Sequence, residues 1–352
     1  MRYKLFGTTG CRVSELALGT MTFGADWGWG ADKRTSQQIF DTFAIEGGTF
    51  VDTANLYTNG TAEEYVGEFT KSDREHFVIA TKYSLTPRPN QGDNESIRPN
   101  ESGNSRKSMM QAVEASLKRL QTDYIDILYL HAWDYMTPVE EVMRGLDDLV
   151  RQGKVLYAAA SDTPAYVVSE AITLAKVRGW SPFVAVQAPY NLLRRDLERE
   201  IIPMARHHGI AVTPWGILAS GVLTGKFRKP LSRKTRVDPD KLKLTERDDA
   251  IVDAVLAVAD QTGKTPAQVV VNWLRQNGDA QIIPILGATK LDQFTDQMAA
   301  LEWELSEEQI TRLNEVSKPD LGFPHDFLPG NRFLFGNTFP LIDDHRGESP
   351  RP

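Results

Sequence analysis

Short apolar runs alternate with longer segments of helical periodicity along most of this 352-residue chain. The runs are rich in aliphatic and β-branched side chains, which is typical of strands that are buried on both faces. The longer segments repeat apolar side chains on one helical face, as Met109, Val113 and Leu117 do. The runs predict strands at residues 16–19, 50–52, 76–82, 125–130, 155–160, 183–187, 210–213 and 281–285.

A helical segment follows each predicted strand. Parallel strands need long crossover connections, so this order predicts a parallel sheet, and eight units are the number that closes a barrel. The predicted fold is therefore α/β, a (β/α)8 TIM barrel with long loops at its C-terminal rim. An open doubly wound sheet is the alternative, although no G-x-G-x-x-G motif follows a strand. The helices are predicted at 36–46, 62–69, 105–120, 138–151, 165–177, 197–208, 249–262, 266–277 and 291–301.

The two ends of the chain are predicted to extend this barrel. Short apolar runs flank the turn residues 7–10, so residues 1–15 are predicted to form an N-terminal β-hairpin that plugs the bottom of the barrel. The tail, residues 318–352, is rich in phenylalanine and proline, and we expect irregular structure packed on the barrel. Residues 1–352 are thus predicted to form a single domain.

Composition excludes few functions but sets the context. The apolar fraction of 41% and the charged fraction of 25% are typical of a globular protein. A net charge of −7 argues against a general nucleic-acid partner. No apolar run approaches the roughly 18 residues that span a bilayer, and no signal peptide is recognised, so we expect no membrane partner and a cytoplasmic location. With Cys11 as the only cysteine, a disulfide within the chain and a cysteine metal cluster are excluded, and we expect no metal.

Polar side chains end three consecutive predicted strands. Asp52 ends the second strand and Tyr57 lies on the following loop, while Lys82 and His131 end the third and fourth. The carboxyl ends of barrel strands meet at one rim, so we expect these side chains to converge. A buried lysine needs a carboxylate partner, and Asp52 is one strand away. Taken singly, each residue is more readily explained by a structural role, but the four together indicate a catalytic site.

In this order and setting, the four residues resemble the catalytic tetrad of the aldo-keto reductases. The resemblance covers nearly the whole chain. The motifs of the chain are similar to those of the aryl-alcohol dehydrogenase-like and potassium-channel β-subunit-like branches of the family. It implies NADP(H)-dependent reduction of aldehydes or ketones, or the reverse, with Tyr57 as general acid and base. Lys82 would stabilise the tyrosinate, Asp52 would hold the ammonium, and His131 would orient the substrate oxygen. The motifs that carry it lie at residues 18–24, 187–191, 213–216, 221–226 and 285–290.

The resemblance also implies the cofactor contacts. Asp162 departs from the commoner asparagine and can accept from the carboxamide amine, but it cannot donate unless protonated. Lys290 supplies one cation for a 2′-phosphate, so NADP is expected and NAD stays an alternative. The basic loop 226–236 either folds over the pyrophosphate or lies in solvent. The implied positions are Gly19, Thr20, Met21, Asp52, Ser161, Asp162, Gln187, Trp215, Gly216, Leu218, Ser220, Gly221, Lys226, Gly287, Thr289, Lys290, Gln293 and Gln297.

Aromatic side chains dominate the expected substrate side, and they suit a flat or bulky apolar carbonyl compound. For Trp27 and Trp29, packing against each other is an equally open interpretation. A second hypothesis is an NADP(H)-binding regulatory or interaction module with little turnover, although a binder would not need Tyr57. The oligomeric state is left open. The substrate residues are predicted to be Phe23, Trp27, Trp29, Tyr57, Tyr83, His131 and Trp133.

Overall fold

Parallel strands form one barrel sheet in the computed structural model, which describes residues 1–87, 98–228, 243–276, 278, 280–328, 332–338, 341 and 342. Nine strands follow one another in the sheet in the order β10-β9-β8-β7-β6-β5-β4-β3-β11. The described strands are β1 (Tyr3–Leu5), β2 (Arg12–Ser14), β3 (Ala17–Gly19), β4 (Phe50–Asp52), β5 (Val78–Tyr83), β6 (Ile125–Leu130), β7 (Val155–Ser161), β8 (Phe183–Gln187), β9 (Ala211–Val212), β10 (Gln281–Ile282) and β11 (Ile285–Leu286).

The eighth predicted strand closes the barrel in two pieces. Its first half, β10, pairs with β9, and its second half, β11, pairs with β3. Pro284 lies between the halves and has no N–H to donate, but its carbonyl accepts from Ala17 N at 2.9 Å. The predicted (β/α)8 barrel is therefore confirmed, whereas the prediction of one continuous strand at 281–285 was wrong.

Helices surround the sheet and connect its strands. The described α-helices are α1 (Lys33–Ile45), α2 (Thr61–Thr70), α3 (Arg106–Leu120), α4 (Val139–Arg151), α5 (Ala165–Arg178), α6 (Ile201–His208), α7 (Glu246–Thr262), α8 (Pro266–Arg275), α9 (Leu291–Met298), α10 (Glu307–Val316) and α11 (Arg332–Phe335). Short 3₁₀ turns at Asp196–Glu198 and Ala299–Glu302 replace the first turn of one predicted helix and the last turn of another. The pattern gave no prediction of α10, which begins with a capping box at Ser306.

The N-terminal hairpin is confirmed, since β1 and β2 pair antiparallel. Phe6 leaves the hairpin and is fully buried, with its ring 5.4 Å from that of Phe50 at the start of β4. Gly7 N donates to Gln281 Oε1 at 2.8 Å, which fixes the turn to β10. Both partners lie at the amino ends of barrel strands, so the hairpin covers the bottom of the barrel, opposite the expected site.

Two apolar clusters build the molecule. A smaller one fills the barrel interior and includes Phe6, Phe50 and Ile127, and a larger one lies between the sheet and the helices. Because successive strand residues point to opposite faces, Phe50 and Asp52 both face the interior, as do Ala80 and Lys82. The polar layer with Asp52 and Lys82 therefore lies directly above an apolar floor.

The described part of the tail contacts the barrel beside α6. Arg199 Nε donates to Leu321 O at 2.6 Å, and His325 Nε2 lies 3.0 Å from Glu200 Oε1. Most of the tail after residue 328 and most of the basic loop 226–236 lie outside the described residues. No helix in the described ranges is long and apolar enough to cross a membrane. The single domain over 1–352 stays a prediction.

Candidate active site

Lys82 lies at the centre of the polar layer. Its side chain is fully buried, and its ammonium donates to Asp52 Oδ2 at 2.7 Å, to the Thr53 carbonyl at 2.8 Å and to Tyr57 Oη at 3.2 Å. An ammonium has three N–H groups, so all three are used and its orientation is fixed. Burial lowers the pKa of Lys82, but Asp52 and then Tyr57 outweigh it, and the pKa lies above its ordinary value. Lys82 is therefore positively charged at neutral pH.

Tyr57 is placed by the turn that follows β4. Residues Tyr57–Gly60 form a tight turn whose backbone is left-handed at Thr58 and Asn59, and the Tyr57 side chain is only 9% exposed. Since Lys82 donates to the phenol oxygen, the O–H proton of Tyr57 is left to be donated elsewhere. Burial raises the pKa of Tyr57, and the opposing effect of Lys82 does not cancel this. The phenol is thus protonated at neutral pH, as a proton donor must be.

His131 follows β6 and lies beside this phenol. The two rings meet edge to face at 5.9 Å, and His131 is 8% exposed. Among the described residues, its Nδ1 has no hydrogen-bond partner. Burial, and next the Lys82 ammonium, hold the pKa of His131 well below its ordinary 6.5. A neutral imidazole can orient a ligand oxygen by a hydrogen bond but is a poor acid.

The carboxylate of Asp52 has a second partner that sequence reasoning missed. Gln187 Nε2 donates to Asp52 Oδ1 at 2.8 Å and lies 3.5 Å from Thr213 Oγ1, which in turn lies 3.1 Å from Tyr129 Oη. Tyr129 lies in β6, Gln187 ends β8 and Thr213 directly follows β9. Each is two positions from a residue that faces the barrel interior, so the period of two could have placed all three on that face. Gln187 is expected to hold the cofactor carboxamide. Because its amide N–H donates to Asp52, its Oε1 is the atom for that contact.

Asp162 and Trp215 meet across the rim. Trp215 Nε1 donates to Asp162 Oδ1 at 3.4 Å, and the indole, in the segment after β9, is 40% exposed. Burial raises the pKa of Asp162, with smaller opposing effects from Trp215 and Lys82. The exposed indole is available to stack against a planar ring, and the carboxylate is available to accept a hydrogen bond.

The loop after β9 contains a left-handed turn at Ala219, Ser220 and Gly221, with φ of 48°, 56° and 89°. Such a run is costly for residues with a Cβ and is typical of functional segments. A Cβ on Gly221 would lie 2.4 Å from Lys226 Nζ, so glycine is what allows the lysine to lie against the backbone. The turn brings a cation and close backbone to one place, which suits an anionic group.

Residues after β11 form another anion-compatible region. Lys290 is exposed and lies at the N-cap position of α9 without a side-chain capping bond, and a helix N-terminus favours anions. Gln297 is buried, and its Nε2 donates to the carbonyls of Gly287 and Gln293, each at 3.2 Å. Its Oε1 has no partner within the described ranges. Asp296 points to α8, where Gln268 Nε2 donates to it at 2.8 Å, so its carboxylate is hydrogen-bonded within the fold.

Two of the residues predicted to contact the substrate are fully buried. Tyr83 follows Lys82 in β5 and so points to the opposite face of the sheet, where it is fully buried among helices. Phe23 is also fully buried, with its ring against Phe69 at 6.3 Å. Neither ring offers surface to a substrate. Trp27 and Trp29 are partly exposed and pack against each other in a tilted arrangement, with ring centroids 5.7 Å apart at 51°, and Trp133 is partly exposed beside His131.

The other predicted cofactor residues follow strand ends on the same rim. Thr20 donates from its N and Oγ1 to the Asp52 carbonyl, at 2.9 and 3.0 Å. Gly19 lies so close to β11 that a Cβ would be 2.6 Å from Ile285 Cγ2. No cluster of three or more metal-ligating side chains occurs in the described parts of the chain. The rim also carries Met21, Ser161, Gly216, Leu218 and Thr289.

Comparison with known proteins gives consistent matches over almost the whole chain. The family model described as the Aldo/keto reductase family matches residues 15–318. Norsolorinic acid reductase B of Dothistroma septosporum is 41% identical over 95% of this chain and 86% of that protein. An aryl-alcohol dehydrogenase [NADP(+)] of Phanerodontia chrysosporium is 38% identical over 90% of this chain and 86% of its own. A putative aryl-alcohol dehydrogenase of Saccharomyces cerevisiae is 38% identical over 95% of this chain and 91% of that protein.

Proposed function

The chain belongs to the aldo/keto reductase family, and from that premise we propose that it is an NADP(H)-dependent oxidoreductase that reduces aldehydes or ketones, or catalyses the reverse, with Tyr57 as general acid and base. The observation that carries the proposal is the saturated ammonium of Lys82. Because Lys82 donates to Tyr57 Oη, the phenol proton is directed away from the ammonium and is free for transfer. Asp52 and Thr53 hold the ammonium in that position.

The reaction needs a hydride at the carbonyl carbon and a proton at the carbonyl oxygen. When bound, the reduced nicotinamide supplies the hydride. Tyr57 Oη donates its proton to the oxygen, and the Lys82 ammonium stabilises the phenolate that remains. Asp52 keeps Lys82 charged, and neutral His131 orients the oxygen by a hydrogen bond. In alcohol oxidation the same groups act in reverse, and the phenolate takes the proton.

Several features of the rim fit a nicotinamide dinucleotide. The exposed indole of Trp215 would stack on the nicotinamide, and Gln187 Oε1 with Asp162 would accept from its carboxamide amine. The left-handed turn 219–221 with Lys226 would hold the pyrophosphate. The exposed Lys290 at the start of α9 would meet a 2′-phosphate, which favours NADP over NAD.

The partly exposed tryptophans of the rim favour an aromatic carbonyl substrate. Trp27, Trp29 and Trp133 offer flat apolar surface, and aromatic side chains stack on planar rings. The names of the similar proteins refer to aryl alcohols and to norsolorinic acid, which supports the same class. Of the predicted set, Tyr57 and His131 would contact the reacting oxygen itself, and Phe23 and Tyr83 are left out.

The test is a titration of the protein with NADPH and with NADH, followed by turnover measurements on aromatic and aliphatic carbonyls at the absorbance of the reduced cofactor. The proposal predicts tighter binding of NADPH and faster turnover of aryl aldehydes or ketones. Binding of cofactor without turnover of any carbonyl or alcohol would instead favour the regulatory or interaction module. Absence of cofactor binding would contradict both.

A further inference from the structure

The two residues that follow Tyr57 have an uncommon backbone conformation. Thr58 has φ 47° and ψ 44°, and Asn59 has φ 59° and ψ 25°, so both are left-handed. Asparagine tolerates this region, but a β-branched threonine rarely adopts it. Strain of this kind persists where surrounding contacts enforce it, and it clusters at functional sites. The contacts that enforce it at Thr58 can be named.

The hydroxyl of Thr58 ties the turn to the loop after β3. Thr58 is fully buried, and its Oγ1 donates to the Phe23 carbonyl at 2.6 Å. The same oxygen accepts from Ala62 N at 3.1 Å, in the first turn of α2. Thr58 Oγ1 therefore uses both a donor and an acceptor function, and it anchors the carboxyl side of Tyr57 at two points.

A second bond strengthens the same connection. Trp27 Nε1 donates to Asn59 Oδ1 at 3.2 Å, again from the β3–α1 loop to the left-handed turn. On the amino side, Tyr57 N donates to the Ala54 carbonyl at 3.1 Å. The backbone of Tyr57 is thus held on both sides. Its phenol, by contrast, is held by one bond of 3.2 Å from Lys82, the longest of the three that this ammonium makes.

We propose that Thr58 is a positioning residue that holds the Tyr57 phenol at Lys82 through the hydrogen bond from its hydroxyl to the Phe23 carbonyl. This rests on the proposed role of Tyr57 as general acid. If the bond is lost, the turn can relax from its left-handed conformation and the phenol moves away from the ammonium. Displacement of a reacting group by about 1 Å can cost about 10²-fold in rate.

The test compares four variants, each measured per folded molecule at the assay temperature. Thr58→Val keeps the shape and removes the hydroxyl, Thr58→Ser keeps the hydroxyl, and Thr58→Gly removes the hydroxyl but adopts the left-handed conformation freely. Thr70→Val is the matched control. Thr70, like Thr58, is buried, and its Oγ1 donates to Val66 O at 2.8 Å. It lies at the end of α2, the end farther from Tyr57.

We expect Thr58→Val and Thr58→Gly to lower kcat by about tenfold or more, with KM and cofactor affinity within about twofold of the wild type. Because the phenol loses its ammonium neighbour, the basic limb of the pH profile of kcat should also shift upward. Thr58→Ser should restore both kcat and the pH profile, and Thr70→Val should leave them unchanged. Thr58→Gly keeps the test valid if Thr58→Val does not fold.

An unchanged kcat in both hydroxyl-free variants would overturn the proposal, and so would failure of Thr58→Ser to restore activity. A similar loss in Thr70→Val would also overturn it, because the effect would then follow from any buried hydroxyl. Tyr57→Phe separates this inference from the function on which it rests. If Tyr57→Phe is inactive while Thr58→Val is fully active, only the positioning role fails. If Tyr57→Phe is active, the role of Tyr57 itself fails.

Discussion

Lys82 and Lys290 are two lysines near the carboxyl end of the same barrel, in regions of opposite character. Lys82 is fully buried in the interior, and its ammonium has three hydrogen-bond acceptors. Lys290 is exposed on the rim, and its side chain contacts no partner within the part of the chain that the structure describes. Lys82 is part of a hydrogen-bond network within the protein, whereas Lys290 is placed to bind a ligand.

The proposed reaction requires two things of the protein, stabilisation of charge in the transition state and recognition of the cofactor, and the two lysines serve one each. Groups that stabilise charge in the transition state act best when they are already oriented and shielded from water, as the interior network is. Groups that recognise a cofactor need exposed surface, as the Trp215 indole and the Lys290 side chain have. Breaking the buried Lys82–Asp52 pair should therefore lower folding stability and kcat together, whereas substitutions on the rim should change affinity alone.

Lys82→Met breaks the interior network and should have the largest effect on stability. It leaves Asp52 buried without its cation, and such a loss costs about 3–5 kcal/mol of unfolding free energy. Lys33→Met is the control, since Lys33 lies 2.6 Å from Glu68 but both side chains are about half exposed. An exposed pair contributes only about 0–1 kcal/mol. Urea unfolding measures both variants, and equal losses would show that burial does not distinguish the two regions.

Lys290→Ala examines the rim. A charge-assisted hydrogen bond to a phosphate is worth about 1.5–3 kcal/mol, so NADPH affinity should fall by about tenfold or more. NADH affinity and unfolding free energy should be nearly unchanged, because the exposed side chain supports no part of the fold. Fluorescence titration with both cofactors gives the answer. Equal weakening of NADPH and NADH would mean that Lys290 has a structural role, and a wild-type preference for NADH would contradict the NADP proposal.

The pH dependence of stability should show a smaller effect at His131. The folded chain holds the pKa of His131 well below 6.5, so it stays neutral while the unfolded chain takes up a proton. Stability from this group is therefore present above pH 6.5 and is lost as pH falls, by up to about 1.4 kcal/mol per pH unit. Urea unfolding between pH 5 and 8 should show a steeper acidic decline in the wild type than in His131→Asn. Parallel curves would show that His131 is not held neutral.

The sequence was most informative where strand geometry decides position. Residues that end neighbouring parallel strands must share a rim, and Asp52, Lys82 and His131 do so beside Tyr57. The same rule, applied with the period of two, would have excluded Tyr83, since it follows the inward-pointing Lys82. The split of the eighth strand was also visible in principle, because Pro284 has no N–H for a ladder.

Other features could not be predicted because they depend on tertiary contacts. Threonine has no preference for a left-handed backbone, so only the buried contacts of Thr58 reveal that conformation. The period of two places Gln187 on the interior face, but its bond to Asp52 depends on how closely two distant strands approach, which the sequence does not show. Phe23 is buried against Phe69 of α2, a residue that is far from it in sequence.

The most direct test of the central claim is the turnover of Tyr57→Phe. Phenylalanine keeps the ring, which lies 4.8 Å from Lys82 Nζ and 5.9 Å from the His131 ring, and removes the hydroxyl alone. The variant should fold and bind cofactor like the wild type, while kcat falls by about 10²–10⁴-fold, the usual contribution of a placed proton donor. If it keeps more than about a tenth of wild-type kcat while chemistry limits the rate, the proton comes from another group and the assignment of Tyr57 is wrong.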